Sequence, residues 1–286
     1  MESMQRTTIV GLVLATCLVS AAVAESRKEF RFTVGPKANI SVNTQYGAIT
    51  VKPGYANRII VVAVLQSDKV QVDHLQKGNR VEIESQLLPG ADNQSGRVNY
   101  ELTVPANATL TLRSTTGPLS VEHMRGDLSL EGANAPVDVR NSVGGHVHVS
   151  TMTGPITLND VRGAHIELTS ISGEVRLNAV TGPFVQVSSG SGKIYYDGDF
   201  GSGGDYSFST HTGDIEAWVP PDASADFNAR SMKGLVQSDV SLAPSEHPKF
   251  PVDAARTFFG TVGKAASEVV FKSISGKIRL KKRSEQ

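Results

Sequence analysis

Cysteine is almost missing from this sequence: Cys17 is the only one in 286 residues. It sits in the amino-terminal apolar stretch, so the rest of the chain has no disulfide to draw on and must be held by its own core. Net charge is missing as well, with 28 basic residues against 28 acidic ones. A nucleic-acid binder depends on concentrated positive charge, and this balance argues against one. Helix signals are few, whereas glycine is frequent and apolar residues alternate with polar ones almost everywhere; that pattern is all-β. No G-x-S-x-G follows a strand and opens a helix, and no helix-borne H-E-x-x-H occurs. Nucleophilic triads and zinc-protease chemistry therefore find no support.

The first residues read as an export leader. Arg6 supplies a positive start, Ile9 to Val19 is apolar apart from Gly11 and Thr16, and Ala22–Ala24 offers a signal-peptidase site. The mature chain is expected to begin near Glu25, with no transmembrane segment, because the apolar run is short for a membrane span. An uncleaved anchor is the alternative. Lipidation at Cys17 is disfavoured by Thr16 before it and by the apolar run beyond it.

The remainder repeats itself. Gly117 precedes PLSV, Ala135 PVDV, Gly154 PITL, Gly173 EVRL, Gly192 KIYY, Gly213 DIEA and Gly276 KIRL. The steps from 117 to 192 are 18, 19, 19 and 19 residues, and the next is 21. Gly47 heads an early copy and Gly234 a degraded late one. Upstream of each glycine is a second apolar pair, such as Val147/Val149, Ile166/Leu168 and Val185/Val187. Two residues after each pair stands a small polar residue (Ser114, Thr151, Ser170, Ser189, Thr210, Ser231, Ser273), with Gly132 the one break. A lone apolar residue then recurs at Met124, Val143, Val161, Val180 and Phe200 and is expected to plug the far corner. Spacing of two marks one buried strand face, and a coil that cannot bury that face alone can do so by stacking on its copy. The expected fold is a single-domain β-solenoid (β-helix), flattened or roughly triangular. Its coils are about 19 residues long, each with two short strands, and number about seven.

Five segments follow from this. Residues 1–24 are the leader; 25–109 are amino-terminal strands and hairpins that cap the solenoid; 110–240 are the regular coils. Residues 241–262, with three prolines, are expected as an inserted surface loop, and 263–286 as the last coil with a basic tail. Capping is needed because an open solenoid end exposes unpaired backbone groups.

Three stretches carry a family resemblance: VNYELTVPANATLTLRSTTGPLSV (98–121), EAWVPPDASADFNARSMKG (216–234) and SEVVFKSISGKIRL (267–280). With them the sequence resembles the bacterial DUF4097-type adhesin-like domain family, which is related to the head-GIN adhesin domains. The resemblance implies a β-helix on exported proteins and brings no catalytic signature. Two departures, GLVQS at Gly234 and GKAAS at 263–267, bear on the geometry of the last coils.

Candidate sites come from residues that point outward. His146, His148, His165 and Glu167 should lie on one face of two neighbouring strands, with His146 beside His165 and His148 beside Glu167. Three imidazoles and a carboxylate are zinc-ligand types, although a flat strand face seldom converges them; the plain alternative is a solvated polar face. On the other sheet Glu174, Lys193 and Asp214 follow one another, with Arg176, Tyr195 and Glu216 beside them. They form either a cross-strand ion ladder or a glycan-binding surface with Tyr195 as a stacking platform. Asp197, Asp199, Asp205 and Asp214 lie among glycines and are oxygen ligands of the type calcium takes, in a single irregular copy. No cofactor is expected.

The function expected from these features is an exported, non-catalytic binding or adhesion-like module of the bacterial cell envelope, not an enzyme. Its partner would be an envelope glycan or an envelope protein. A self-assembling envelope scaffold is one alternative, and a carbohydrate-active enzyme of β-helix type is another.

Overall fold

A computed structural model describes residues 25–35, 37–201, 203–244, 253 and 255–283. The expected leader, residues 1–24, part of the expected loop, residues 245–252 and 254, and the end of the expected tail, residues 284–286, lie outside the described residues. The amino-terminal strands are β1 (Ser26–Thr33), β2 (Asn39–Thr44), β3 (Ile49–Pro53), β4 (Arg58–Leu65), β5 (Val70–Lys77), β6 (Arg80–Leu87) and β7 (Val98–Val104). The middle holds β8 (Thr109–Ser114), β9 (Leu119–Glu122), β10 (Leu128–Gly132), β11 (Val137–Val143), β12 (His146–Thr151), β13 (Ile156–Arg162), β14 (His165–Ser170), β15 (Val175–Val180), β16 (Phe184–Ser189), β17 (Ile194–Gly198), β18 (Asp205–Thr210) and β19 (Ile215–Val219). The chain closes with β20 (Ala225–Ser231), β21 (Val236–Ser238), β22 (Thr257–Val262), β23 (Ser267–Ser273) and β24 (Ile278–Lys282).

These strands form two 12-stranded sheets packed face to face, so the β-solenoid is a flattened one. From β8 to β19 each coil gives one strand to each sheet, and neighbouring coils pair in parallel and in register, as in Val147↔Ile166 and Val137↔Ile156. Alternation does the sorting. In β11 Val137 and Val139 are buried while Asp138 and Arg140 face outward. Each fully buried Val, Ile or Leu contributes about 1.5–3 kcal/mol, and one continuous core runs the length of the solenoid.

The glycine column is a steric requirement. A Cβ on Gly173, Gly192, Gly213 or Gly276 would overlap the carbonyl oxygen of the glycine one coil below, far inside van der Waals contact. The hydroxyl column beside it serves the same turn. Ser114, Thr210, Ser231 and Ser273 accept the N–H of the glycine three residues on at 3.0, 3.0, 2.9 and 2.8 Å, while Thr151 and Ser170 donate to the Gly154 and Gly173 carbonyls. The two exceptions to the columns share one coil and compensate. Ala135 replaces glycine where Gly132 replaces the hydroxyl residue, and a Cβ on Gly132 would stand 3.0 Å from the Ala135 methyl.

The far corner differs from expectation in one coil. His123, Asn141, Asp160 and Ala179 all have φ between 51° and 58°. The residue after each turns inward: Met124, Ser142, Val161 and Val180. The plug of the second of these coils is thus Ser142, and Val143 is 53% exposed. Backbone register decides this against hydropathy, because Ser142 pairs with Val161 and Val143 with Arg162. The Ser142 hydroxyl donates to the Arg140 carbonyl, which makes its burial tolerable.

Both ends are interlocked. The β2/β3 coil lies between β8/β9 and an outer layer of β6 and β7, which β5, β4 and β1 then cover in antiparallel fashion. At the other end the last coil in sequence, β23/β24, is slotted between β18/β19 and β20/β21. The coil headed by Gly234 is therefore the outermost. The segment expected as a loop at 241–262 ends in a strand, β22, which runs antiparallel along β20.

Candidate functional site

On the first sheet the predicted residues do meet. Arg176, Tyr195, Glu216 and Arg279 stand in register on successive strands, because β24 follows β19. The Arg176 guanidinium lies 4.3 Å over the Tyr195 ring and pairs with Glu174 at 2.6 Å. Tyr195 stacks on Trp218 at 6.3 Å, and Lys281 covers Trp218 at 5.0 Å. Glu216 accepts from Arg279 at 2.9 Å and Lys281 at 2.8 Å, and these cations hold its carboxyl below the usual range, the Lys281 hydrogen bond most of all. Arg283 pairs with Asp197. Asp214 accepts the Lys277 N–H at 2.8 Å, while Lys193 makes no ion pair among the described residues. Both faces of the Tyr195 ring are thus occupied, one by Arg176 and one by Trp218. Tyr195 is a rung in a cation–aromatic ladder rather than an open stacking platform.

The histidines take the predicted register, His146 beside His165 and His148 beside Glu167. They do not converge. His146 turns to Asp127 at 3.3 Å, and His148 approaches Glu167 at 3.5 Å. His165 packs between His146 and Phe184, with ring centroids 5.1 and 6.0 Å away. No group of three His, Cys, Asp or Glu side chains among the described residues could hold a metal ion, so the zinc candidate breaks into exposed pairs. The calcium candidate breaks up too. Asp197 goes to Arg283, Asp199 faces the Gly201 N–H, Asp205 is exposed on β18 and Asp214 caps Lys277.

A third surface was not singled out in the sequence. It follows the corner where the second sheet turns into the glycine column. Two open grooves, of about 500 and about 480 Å³, use the same coil positions at different heights. Their sheet-side wall is the last outward residue of each strand: Arg113, Glu131 and Ser150 in one, Ser188, Ser209, Lys272 and Arg230 in the other. Their floor is the hydroxyl column. Their outer lip is the residue after each column position, Thr115, Ala133 and Met152 in one and His211, Ile274 and Met232 in the other. Met152 (53%) and Met232 (54%) are exposed apolar side chains, as is Ile171 (58%) at the same position between the grooves, and Ile274 is half-buried. The signal was in the sequence as TMTG, SISG, SMKG and SISG, an apolar residue out of step with the alternation.

One hydroxyl of the column stands apart. Ser189 is 6% exposed, borders the second groove, and its Oγ has no hydrogen-bond partner among the described residues. Next to it the lip carries no side chain at all, because Gly190 approaches the Ile171 carbonyl too closely for a Cβ. Among the described residues, the titratable groups raised in pKa by burial are core tyrosines. Desolvation pushes Tyr100 and Tyr206 up to about 12, and Tyr196 well above its ordinary value.

No match is found among curated proteins. Among solved structures, the chain is similar to a candidate adhesin of Bacteroides fragilis at 12% identity, covering 90% of this chain and 98% of that one, with a TM-score of 0.44. It is similar to a candidate lipid-binding protein of Parabacteroides distasonis at 11% identity, covering 90% and 97%, with a TM-score of 0.42. It is also similar to a candidate cell adhesion protein of Clostridium sporogenes at 15% identity, covering 90% and 100%, with a TM-score of 0.29. The sequence profile of the Toastrack DUF4097 family matches residues 38–282, most of the chain, and the chain therefore belongs to that family.

Proposed function

We propose that this chain is an exported, non-catalytic binding module of the bacterial cell envelope, adhesion-like in the sense that it holds a partner along an extended surface. The observation that carries this reading is the corner furrow: long, open, amphipathic and repeated along the solenoid. The groups there are hydroxyls and apolar side chains together with Arg113, Glu131, His148, His211, Arg230 and Lys272, spread along open grooves rather than gathered in an enclosed pocket, an arrangement suited to holding a ligand along a surface. The strongly shifted tyrosines serve the core, and the lowered carboxylates of Glu122 and Glu216 are held by cations. The amino-terminal apolar stretch with its Ala22–Ala24 site supports export. No helix among the described residues is long and apolar enough to cross a membrane.

End-to-end assembly is the less favoured reading. The edge strand β1 exposes Arg27, Lys28, Glu29 and Arg31, and charged edge strands discourage pairing with another chain. Cell fractionation combined with cosedimentation on isolated envelopes tests the proposal. The chain is expected outside the cytoplasm and bound to envelopes, with no new reducing ends released from envelope glycans. Retention in the cytoplasm, or steady glycan cleavage, would overturn it.

A further inference from the structure

We propose that the groove over Ser189 and Gly190 is a subsite for an extended, linear glycan lying parallel to the solenoid axis. This rests on the binding-module reading and names the ligand class. The sheet-side wall is a straight row, because Ser188, Ser209, Lys272 and Arg230 are mutually in register on four adjacent strands. Three strand spacings make the row about 14 Å long, enough for a few sugar units in an extended chain.

The chemistry of the groove has two sides. On one, Ser209 donates to Ser188 at 3.3 Å, and these half-buried hydroxyls offer further donor and acceptor capacity. On the other, the lip presents the apolar side chains of Met232 and Ile274 beside the exposed ring of His211. A pyranose ring has the same two sides, a rim of hydroxyls and a C–H face. At the floor Ser189 supplies the unmet demand. The Oγ is closed to solvent as it stands, and a rotation of the Ser189 side chain toward the groove lets a ligand hydroxyl meet that demand. Gly190 removes the lip at that height and opens the approach. An extended peptide is disfavoured, because strand addition needs free backbone groups. Here the Gly190 N–H already goes to the Ser170 carbonyl, and its own carbonyl accepts from His211 and Thr212. A lipid tail would need an enclosed apolar cavity, and this groove is open and hydroxyl-lined.

The test is calorimetric titration of the full mature chain with soluble linear β-1,4-linked hexasaccharides, one neutral, one N-acetylated and one uronic, alongside their monosaccharides. At least one hexasaccharide is expected to bind, and more tightly than its monosaccharide. Met232→Asp should weaken it by about tenfold or more, and Trp218→Ala, on the other sheet, by less than about twofold. Circular dichroism of both variants checks that they fold, and Ser209→Trp, which fills the groove from the wall, replaces Met232→Asp if that variant does not. A monosaccharide that binds as well as its hexasaccharide overturns the extended ligand. Loss of binding in Trp218→Ala with Met232→Asp unchanged overturns the location. Binding to none of the sugars, with cosedimentation on envelopes intact, overturns the glycan and leaves the binding-module reading standing. Failure of both assays overturns both.

Discussion

The first sheet's outer face and the corner furrow are built on the same coils, yet they treat their side chains in opposite ways. On the sheet face charge meets charge and ring meets ring: Glu174 with Arg176, Arg176 with Tyr195, Tyr195 with Trp218, Glu216 with Arg279 and Lys281. Such a face has met its own needs and leaves little for a ligand. In the furrow, Ser189 lacks a partner among the described residues while Met152, Ile171 and Met232 lie open to solvent. Surface that is costly to maintain and contributes little to the fold is where a binding role is to be sought.

The largest expected effect removes both surfaces together. Gly213→Val drives a side chain into the Gly192 carbonyl and should cost on the order of 4 kcal/mol or more. Thermal unfolding followed by circular dichroism should show loss of the folded state, and a near-native transition would refute the glycine column. Next, the two hydroxyl positions should separate. Ser273→Ala strips the Gly276 N–H of its acceptor and should cost about 1–3 kcal/mol in urea unfolding, whereas Ser189→Ala should be neutral or slightly stabilising.

Smaller effects belong to the sheet face. Trp218→Ala removes a stacked ring and a cation–π contact and should cost about 1 kcal/mol of stability while sparing glycan binding. Glu216 gives that face a pH signature. Its carboxyl is held below the ordinary range when folded, so its contribution is complete above the unfolded value near about 4.3 and fades as pH falls through the folded one. Glu216→Gln should abolish that part of the acid-side slope, seen as a difference between unfolding curves at neutral and acidic pH. The smallest effect lies at the far corner, which belongs to neither surface. Ala179 sits at φ 51°, and Ala179→Gly should stabilise by up to about 1 kcal/mol, visible as a rise in melting temperature.

Much of the fold was legible because a period of two and a period of about 19 reinforce each other. Val147/Val149, Ile166/Leu168 and the glycines at 154, 173 and 192 could satisfy themselves in one way. The order of the last coils was not legible. Phe227/Ala229 and Val269/Phe271 both match Tyr206/Phe208 in register, so the pattern permits either neighbour. Side-chain volume breaks the tie: Phe271 stacks on Phe208 at 5.1 Å, where Ala229 would leave a void. Val143 misled because hydropathy says nothing about the left-handed residue at 141 that sets which neighbour turns inward. At the site, the ladder partners of Arg176 and Tyr195 were legible from repeat spacing. The covering of Tyr195 by Trp218 was not, since it depends on how far each ring leans along the axis. The furrow stayed hidden because its apolar lip falls at the strand ends, where an apolar residue out of step with the alternation reads as part of a turn.

Thermal unfolding of Ser189→Ala, with and without the binding hexasaccharide, tests the central claim most directly. Without ligand the variant should match or exceed the wild type in stability, and with ligand it should gain less than the wild type does. A variant that is weakened without ligand yet gains the full ligand stabilisation would mean that Ser189 belongs to the scaffold like its neighbours, and that the furrow is not where the partner is held.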